Sequence, residues 1–377
     1  MSRRASLGGR FTYDDPMPVR LLTVANYRSL RDVSLPLAGA TVLLGANGSG
    51  KSNVYRALRL LHAAAAGRFA ESMVDEGGMP SVLWAGKAKR CDEIRSVRLA
   101  VGVEVDRFSY RLTCGLPAPG AVFPLDPEVK EEDLGVRIDG RKTPVPLCER
   151  RNHVVTLRDG DGARQFLTDP LDLGESVLSQ LADPQRWPEL GLVRQTLLGW
   201  RFYHQFRTDP ESPLRQPRLG VRSPVLAHDG GNLAAALMTI TAIRADDRLD
   251  EAIAAAFPGC TLAINSDERN ALSVAWRQPG IRRSLSAREL SDGTLRFLCL
   301  AAALLTPRPP LLLVLNEPET SLHHDLLGPL ADLIADAATR GQVLVTTHAR
   351  WFAERILAAT NGALVELSLR DGQTRLA

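Results

Sequence analysis

Apolar and polar positions along this chain change period several times, and each period predicts a different element. From Val19 to Leu37 they alternate in short runs, as in edge strands of a mixed sheet. AGATVLLG then reads as a buried strand ending at Gly45. KSNVYRALRLLHAAAA (51–66) carries an apolar stripe on Ala- and Leu-rich text, which predicts a helix. Between about 94 and 168, IRSVRLAVGVEV, FSYRLTCGL, LGVRIDG and HVVTLRDGDGARQFL alternate again. With DGDG as a hairpin turn, these predict an antiparallel β-lobe.

Residues 170–222, rich in Pro, Arg and Trp, predict short helices near Glu175–Leu181 and Leu190–Gly199. NLAAALMTITAIR and DRLDEAIAAAF (232–257) read as helices, and ALSVAW with IRRSLS as a small hairpin. The last ninety residues place helices at about 288–305, 322–340 and 349–360 before the apolar strands LLLVLN, QVLVTTH and ALVELSL. Buried strands separated by helices predict a parallel sheet of βαβ units. The expected fold class is therefore α/β: a mixed or parallel sheet core with an antiparallel β-lobe and a small helical insertion. The expected organisation is a flexible leader (1–17), an N-terminal lobe (18–168), an Arg-rich helical insertion (169–225) and a C-terminal lobe (226–377).

Composition narrows the class only modestly. A chain of 377 residues suits two lobes, and 45% apolar with 24% charged content is that of a soluble globular protein. A net charge of +3 does not by itself point to nucleic acid. The five cysteines (Cys91, Cys114, Cys148, Cys260, Cys299) form no CxxC pair, which argues against a disulfide framework and for a reducing cytoplasm. The basic N-terminus has no apolar stretch after it, so no secretory signal is expected. The apolar run from Phe297 is broken by Pro307, Arg308, Pro309 and Pro310, so no membrane span is expected either.

The sharpest chemical signal is Gly45-Ala46-Asn47-Gly48-Ser49-Gly50-Lys51-Ser52, a full GxxxxGK[ST] between strand and helix. Glycines let successive N–H groups turn inward as an anion nest, and the helix N-terminus adds positive potential. Lys51 is expected on the β- and γ-phosphates of ATP and the Ser52 hydroxyl on Mg²⁺. The bland alternative is a glycine-rich turn with an incidental Lys-Ser.

Such a site needs a second acidic strand end. LLLVLNEPETSL (311–322) supplies it, ending Asn316-Glu317 where Asp-Glu is usual. Glu317 is the candidate general base for the attacking water, the bland alternative being a carboxylate favoured at a helix N-terminus. Asn316 can accept a hydrogen bond from a metal-bound water but brings no charge, which predicts weak Mg²⁺ binding and turnover.

The order GANGSGKS, LSDGT (290–294), LLLVLNEPETSLH, VLVTTHA (343–349) resembles the ABC-type ATPase heads of the SMC, RecF and OLD group, in particular short stand-alone prokaryotic predicted ATPases. NYRSLRDVSLPLAGATVLLGANGSGKSNVYRAL is very similar to that group's N-terminal lobe, and the likeness covers most of 18–66 and 226–370. It implies that Ser291, Asp292 and Gly293 form the signature motif that meets the partner's γ-phosphate; a plain N-cap is the alternative. It implies His348 as the switch histidine and Glu319, Thr320 and Ser321 as the D-loop crossing a dimer interface. Gln205 is the candidate metal-shell glutamine, competing with Gln216 and Gln195, and Arg28 the candidate residue beside the nucleotide. His323-His324 reads as a helix-start surface rather than a metal pair.

The resemblance further implies an ATP-dependent homodimer and a nucleic-acid ligand. Arg194, Arg201, Arg207, Arg215, Arg218 and Arg222, with Trp200, Phe202, Tyr203 and Phe206 nearby, suit backbone contacts and base stacking, or else form a solvated face. No heptads and no following nuclease domain are present, so no nuclease activity is expected of this chain. A nucleotide-dependent binding module with little hydrolysis remains the alternative, because of Asn316.

Overall fold

The computed structural model describes residues 17–86, 97–158, 163–243 and 247–377. Most of the expected leader, Cys91 and the DGDG turn at 159–162 lie outside them. The chain divides into two compact units that interleave in sequence: residues 1–38, 45–200 and 365–377 form one, and 39–44 with 201–364 the other.

The first unit is built on an eight-stranded antiparallel sheet, in the order Leu30–Pro36, Val19–Tyr27, Leu99–Val105, Phe108–Gly115, Glu128–Val136, Val145–Arg151, Val154–Arg158, Arg164–Phe166. This is the predicted β-lobe. It also takes in the two strands near the N-terminus, because Val24 pairs with Val33 on one side and Val101 on the other. Alternation decides the faces: Val19, Leu22, Val24 and Tyr27 are buried while Arg20 is exposed. Glu132 and Arg150 are fully buried within this unit at 3.7 Å. Glu132 also accepts hydrogen bonds from Tyr110, Ser176 and the Val177 N–H, while burial pushes its carboxyl up.

The helix Lys51–Ala66 buries Val54, Leu58, Leu61 and Ala65 on one stripe and stops at Gly67, whose φ of 74° returns its N–H to the carbonyls of Ala63 and Ala64. Arg194, on the helix Pro188–Leu198, donates Nε to the Ala65 carbonyl at 3.1 Å. The strand Ala363–Arg370, whose residues from Val365 onward belong to this unit, pairs antiparallel with Gln373–Leu376.

The second unit holds the parallel layer. Its strands run Arg201–Tyr203, Leu312–Asn316, Gln342–Thr347, Ala40–Gly45, each parallel to the next. Every residue of Leu312–Asn316 is buried, which is why that text is continuously apolar until its last position. The helices Asp292–Leu304, Leu327–Ala338 and Arg350–Ala358 realise the predicted βαβ succession, and with Leu233–Ile243 and Arg248–Ala256 they enclose one apolar core. A small antiparallel sheet of Arg218–Leu219, Ala271–Arg277, Thr261–Ser266 and Leu285–Ser286 completes the unit.

Three sequence expectations are corrected here. The stretch 169–225 is no separate insertion: through Trp200 it packs in the first unit, and from Arg201 it belongs to the second. Trp200, Phe202, Tyr203 and Phe206 are 0–5% exposed, so they are core residues and offer no face for base stacking. Arg215 is 9% exposed and gives its guanidinium to the carbonyls of Thr208, Ala287 and Leu290 and to Asp292, so it is a structural clamp rather than a phosphate contact.

Candidate nucleotide site

The glycine-rich loop in the first unit has the backbone its motif demands. Gly48 and Gly50 stand at φ of 79° and 104°, in the left-handed region that only glycine enters freely. A Cβ on Gly50 would lie 2.0 Å from Thr374 Oγ1, so the loop tolerates no side chain there. Thr374 donates its hydroxyl to the Ser49 carbonyl at 2.9 Å and lies 2.7 Å from Ser29 Oγ, which also accepts from Asn53 Nδ2. The loop is thus backed by a hydroxyl network that no sequence motif announces.

Lys51 is buried, and its ammonium donates to the carbonyls of Gly45 (2.7 Å) and Ala46 (3.1 Å). Ser49 Oγ is buried with no hydrogen-bond partner. A buried hydroxyl left unsatisfied costs about 1–3 kcal/mol, and an anion in the nest would relieve it. This orphan, beside a buried cation and a helix N-terminus, fits a triphosphate. Ser52 is exposed at the first turn, as a metal-facing hydroxyl needs to be. Arg28, expected near the nucleotide, instead gives Nη2 and Nε to Glu76 at 2.8 and 3.0 Å, and Tyr27 donates its hydroxyl to the same carboxylate.

In the second unit the parallel strands deliver their carboxyl ends to one edge, where ligands of such sheets bind. Asn316 ends one strand, 1% exposed. Its Oδ1 accepts the Thr346 hydroxyl at 2.8 Å, and its Nδ2 donates to His204 Nδ1 at 2.8 Å. Glu317 follows at φ 50°, an uncommon conformation for a non-glycine residue, with its N–H held by the Thr346 carbonyl at 2.9 Å. Glu317, Gln205, His204, Arg296 and Thr320 line one shallow, open cleft. Gln205 therefore lines the same cleft as Glu317, whereas Gln216 accepts from Arg288 and Gln195 stands exposed on a helix of the other unit. His204 was not foreseen. It follows a three-residue strand too short to show a period.

Ser291 caps the helix Asp292–Leu304, accepting the Thr294 N–H at 3.1 Å, so the N-cap reading of LSDGT is realised in its geometry. Asp292 accepts from Arg215 at 2.6 Å. Arg296, on this helix, donates to the Thr320 carbonyl at 3.2 Å, and a Cβ on Gly293 would lie 3.5 Å from the Ser321 carbonyl. Glu319 is buried, and its Oε1 accepts the Thr347 hydroxyl at 2.5 Å and lies 3.3 Å from His348 Nδ1. His323 and His324 are exposed at a short 3-10 turn, as expected of a surface.

The family description "AAA domain, putative AbiEii toxin, Type IV TA system" matches residues 151–349, and "AAA ATPase domain" matches 17–94. The chain belongs to this AAA-domain family. No curated protein matches it. Among solved structures, an SMC head bound to the C-terminal winged-helix domain of ScpA is 16% identical with a TM-score of 0.52, covering 96% of this chain and 97% of that one. An SMC head with an extended coiled coil, bound to the C-terminal domain of ScpA from Pyrococcus furiosus, is 14% identical with a TM-score of 0.49, covering 96% of each chain. The fold is thus that of an SMC-like P-loop ATPase head. Among the described residues, no helix is long and apolar enough to cross a membrane.

Proposed function

We propose that this protein binds ATP through Gly45–Ser52, hydrolyses it through Glu317, and uses the bound nucleotide to bring two copies of the chain together in a DNA-linked process such as repair or phage defence. The observation that carries the reading is the complete cradle, with Lys51 buried in it and Ser49 Oγ left without a partner. Water attacks the γ-phosphorus, its proton passes to the Glu317 carboxylate, and the bond to the bridging oxygen of ADP breaks. By the family resemblance Ser52, Gln205 and Asn316 would hold Mg²⁺, which when bound would neutralise charge on the β- and γ-phosphates. Lys51 exchanges its loop carbonyls for phosphate oxygens, and His348 meets the γ-phosphate. Ser291 and Gly293 of a second copy complete the anion shell, an arrangement the family resemblance supports.

Phosphate release under Mg²⁺, together with light scattering with and without ATP, tests this reading. It fails if the chain binds no ATP. A second reading has support in the neutral, fully engaged Asn316: a module that associates on binding nucleotide and hydrolyses little. ATP-dependent association without phosphate release would select it.

A further inference from the structure

The family resemblance implies that Glu319 belongs to the D-loop, a segment expected to face a second subunit. The structure turns its side chain the other way. Glu319 is 7% exposed; its Oε1 accepts the Thr347 hydroxyl at 2.5 Å and the His348 N–H at 3.3 Å, and lies 3.3 Å from His348 Nδ1. All three groups come from the end of the neighbouring strand Gln342–Thr347 and the residue after it. Thr347 Oγ1 in turn accepts the Ala349 N–H at 3.0 Å, fixing the turn into the next helix. The His348 side chain itself is half exposed, at 51%.

We propose that Glu319 is the positioning residue of His348, holding the imidazole with its proton on Nδ1 and its Nε2 edge turned outward. This rests on the reading of His348 as the residue that meets the γ-phosphate. A buried carboxylate is acceptor-only, so the nitrogen it faces carries the proton. The far ring nitrogen then has a lone pair and a fixed direction, the same division of labour by which a carboxylate orients a catalytic histidine. Oε2 of Glu319 is buried with no hydrogen-bond partner. A carboxylate kept buried at this cost, with its other oxygen committed to the switch segment, is poorly explained as packing alone. Glu317 and Glu319, two residues apart, thus divide the work: one lines the cleft and the other aims the histidine.

The test uses the full chain labelled with [15N]histidine, with the His348 ring assigned by its loss in His348→Gln. In the wild type its long-range proton–nitrogen pattern is expected to be that of the Nδ1–H tautomer. In Glu319→Gln, whose amide can donate to Nδ1, it is expected to change to Nε2–H. Turnover at saturating ATP is expected to fall at least about tenfold, with KM moving less than about twofold, because the wrong tautomer disables the ring without touching the phosphate cradle. A wild-type His348 found as Nε2–H overturns the proposal even if the variant does not fold. A variant with an unchanged tautomer overturns it as well. A changed tautomer with unaltered turnover upholds the positioning role and removes His348 from the proposed chemistry.

Discussion

The side-chain amide of Asn316 donates to Nδ1 of His204 at 2.8 Å, so the last residue of the buried strand is tied down by a histidine rather than left free for a cation. Its oxygen is engaged as well, accepting from Thr346. Asn316→Asp keeps the shape, brings a charge and, being an acceptor only, calls for the His204 proton on Nδ1. Turnover in this variant is expected to rise about tenfold, with half-saturation at lower Mg²⁺. A magnesium titration of phosphate release checks this. An unchanged rate would mean the amide already serves.

Lys51→Ala removes the buried ammonium that neutralises the nest. Nucleotide affinity is expected to fall at least about a hundredfold, the loss of a buried charge-assisted contact. Titration calorimetry with a non-hydrolysable analogue measures it.

Glu317→Gln is expected to bind ATP as the parent does and turn over about 10²- to 10⁴-fold more slowly, the usual contribution of a general base. Any ATP-bound dimer should then persist, visible by light scattering after excess ATP is removed. Normal turnover would reassign the base.

Of the six arginines considered for nucleic acid, Arg215 is committed to the Ala287 carbonyl and to Asp292, and Arg207 is paired with Asp209 at 2.5 Å. Arg218 and Arg222 stay exposed. Reversing both to Glu is expected to weaken any DNA binding and flatten its dependence on salt by about two ions. Arg215→Ala, by contrast, is expected to lower stability by about 3 kcal/mol, because it strips a buried cation from several acceptors and from Asp292. Denaturant melts separate the two effects.

The cradle was legible in the sequence because its chemistry depends on residue type at fixed spacing, and the parallel layer because strands buried on both faces must be continuously apolar. Gln205 was reachable through resemblance. His204 was not, since its strand, Arg201–Tyr203, has three residues and no detectable period. Aromatics between arginines read alike whether they stack on bases or fill a core, and only burial separates the cases: Trp200 is 0% exposed. The interleaving of the two units also escapes a reading by contiguous spans. Residues 39–44 belong to a sheet whose other strands begin only at Arg201, far downstream of Leu44. Long-range pairing of that kind leaves no local pattern.

Thr374 supports the Ser49 carbonyl from 325 residues further along the chain. During synthesis, then, the glycine loop and its helix emerge early but stay without their backing until the hairpin carrying Thr374 has left the ribosome. Firm capture of nucleotide then waits for that hairpin, so a copy truncated before Thr374 is expected to compete poorly for ATP.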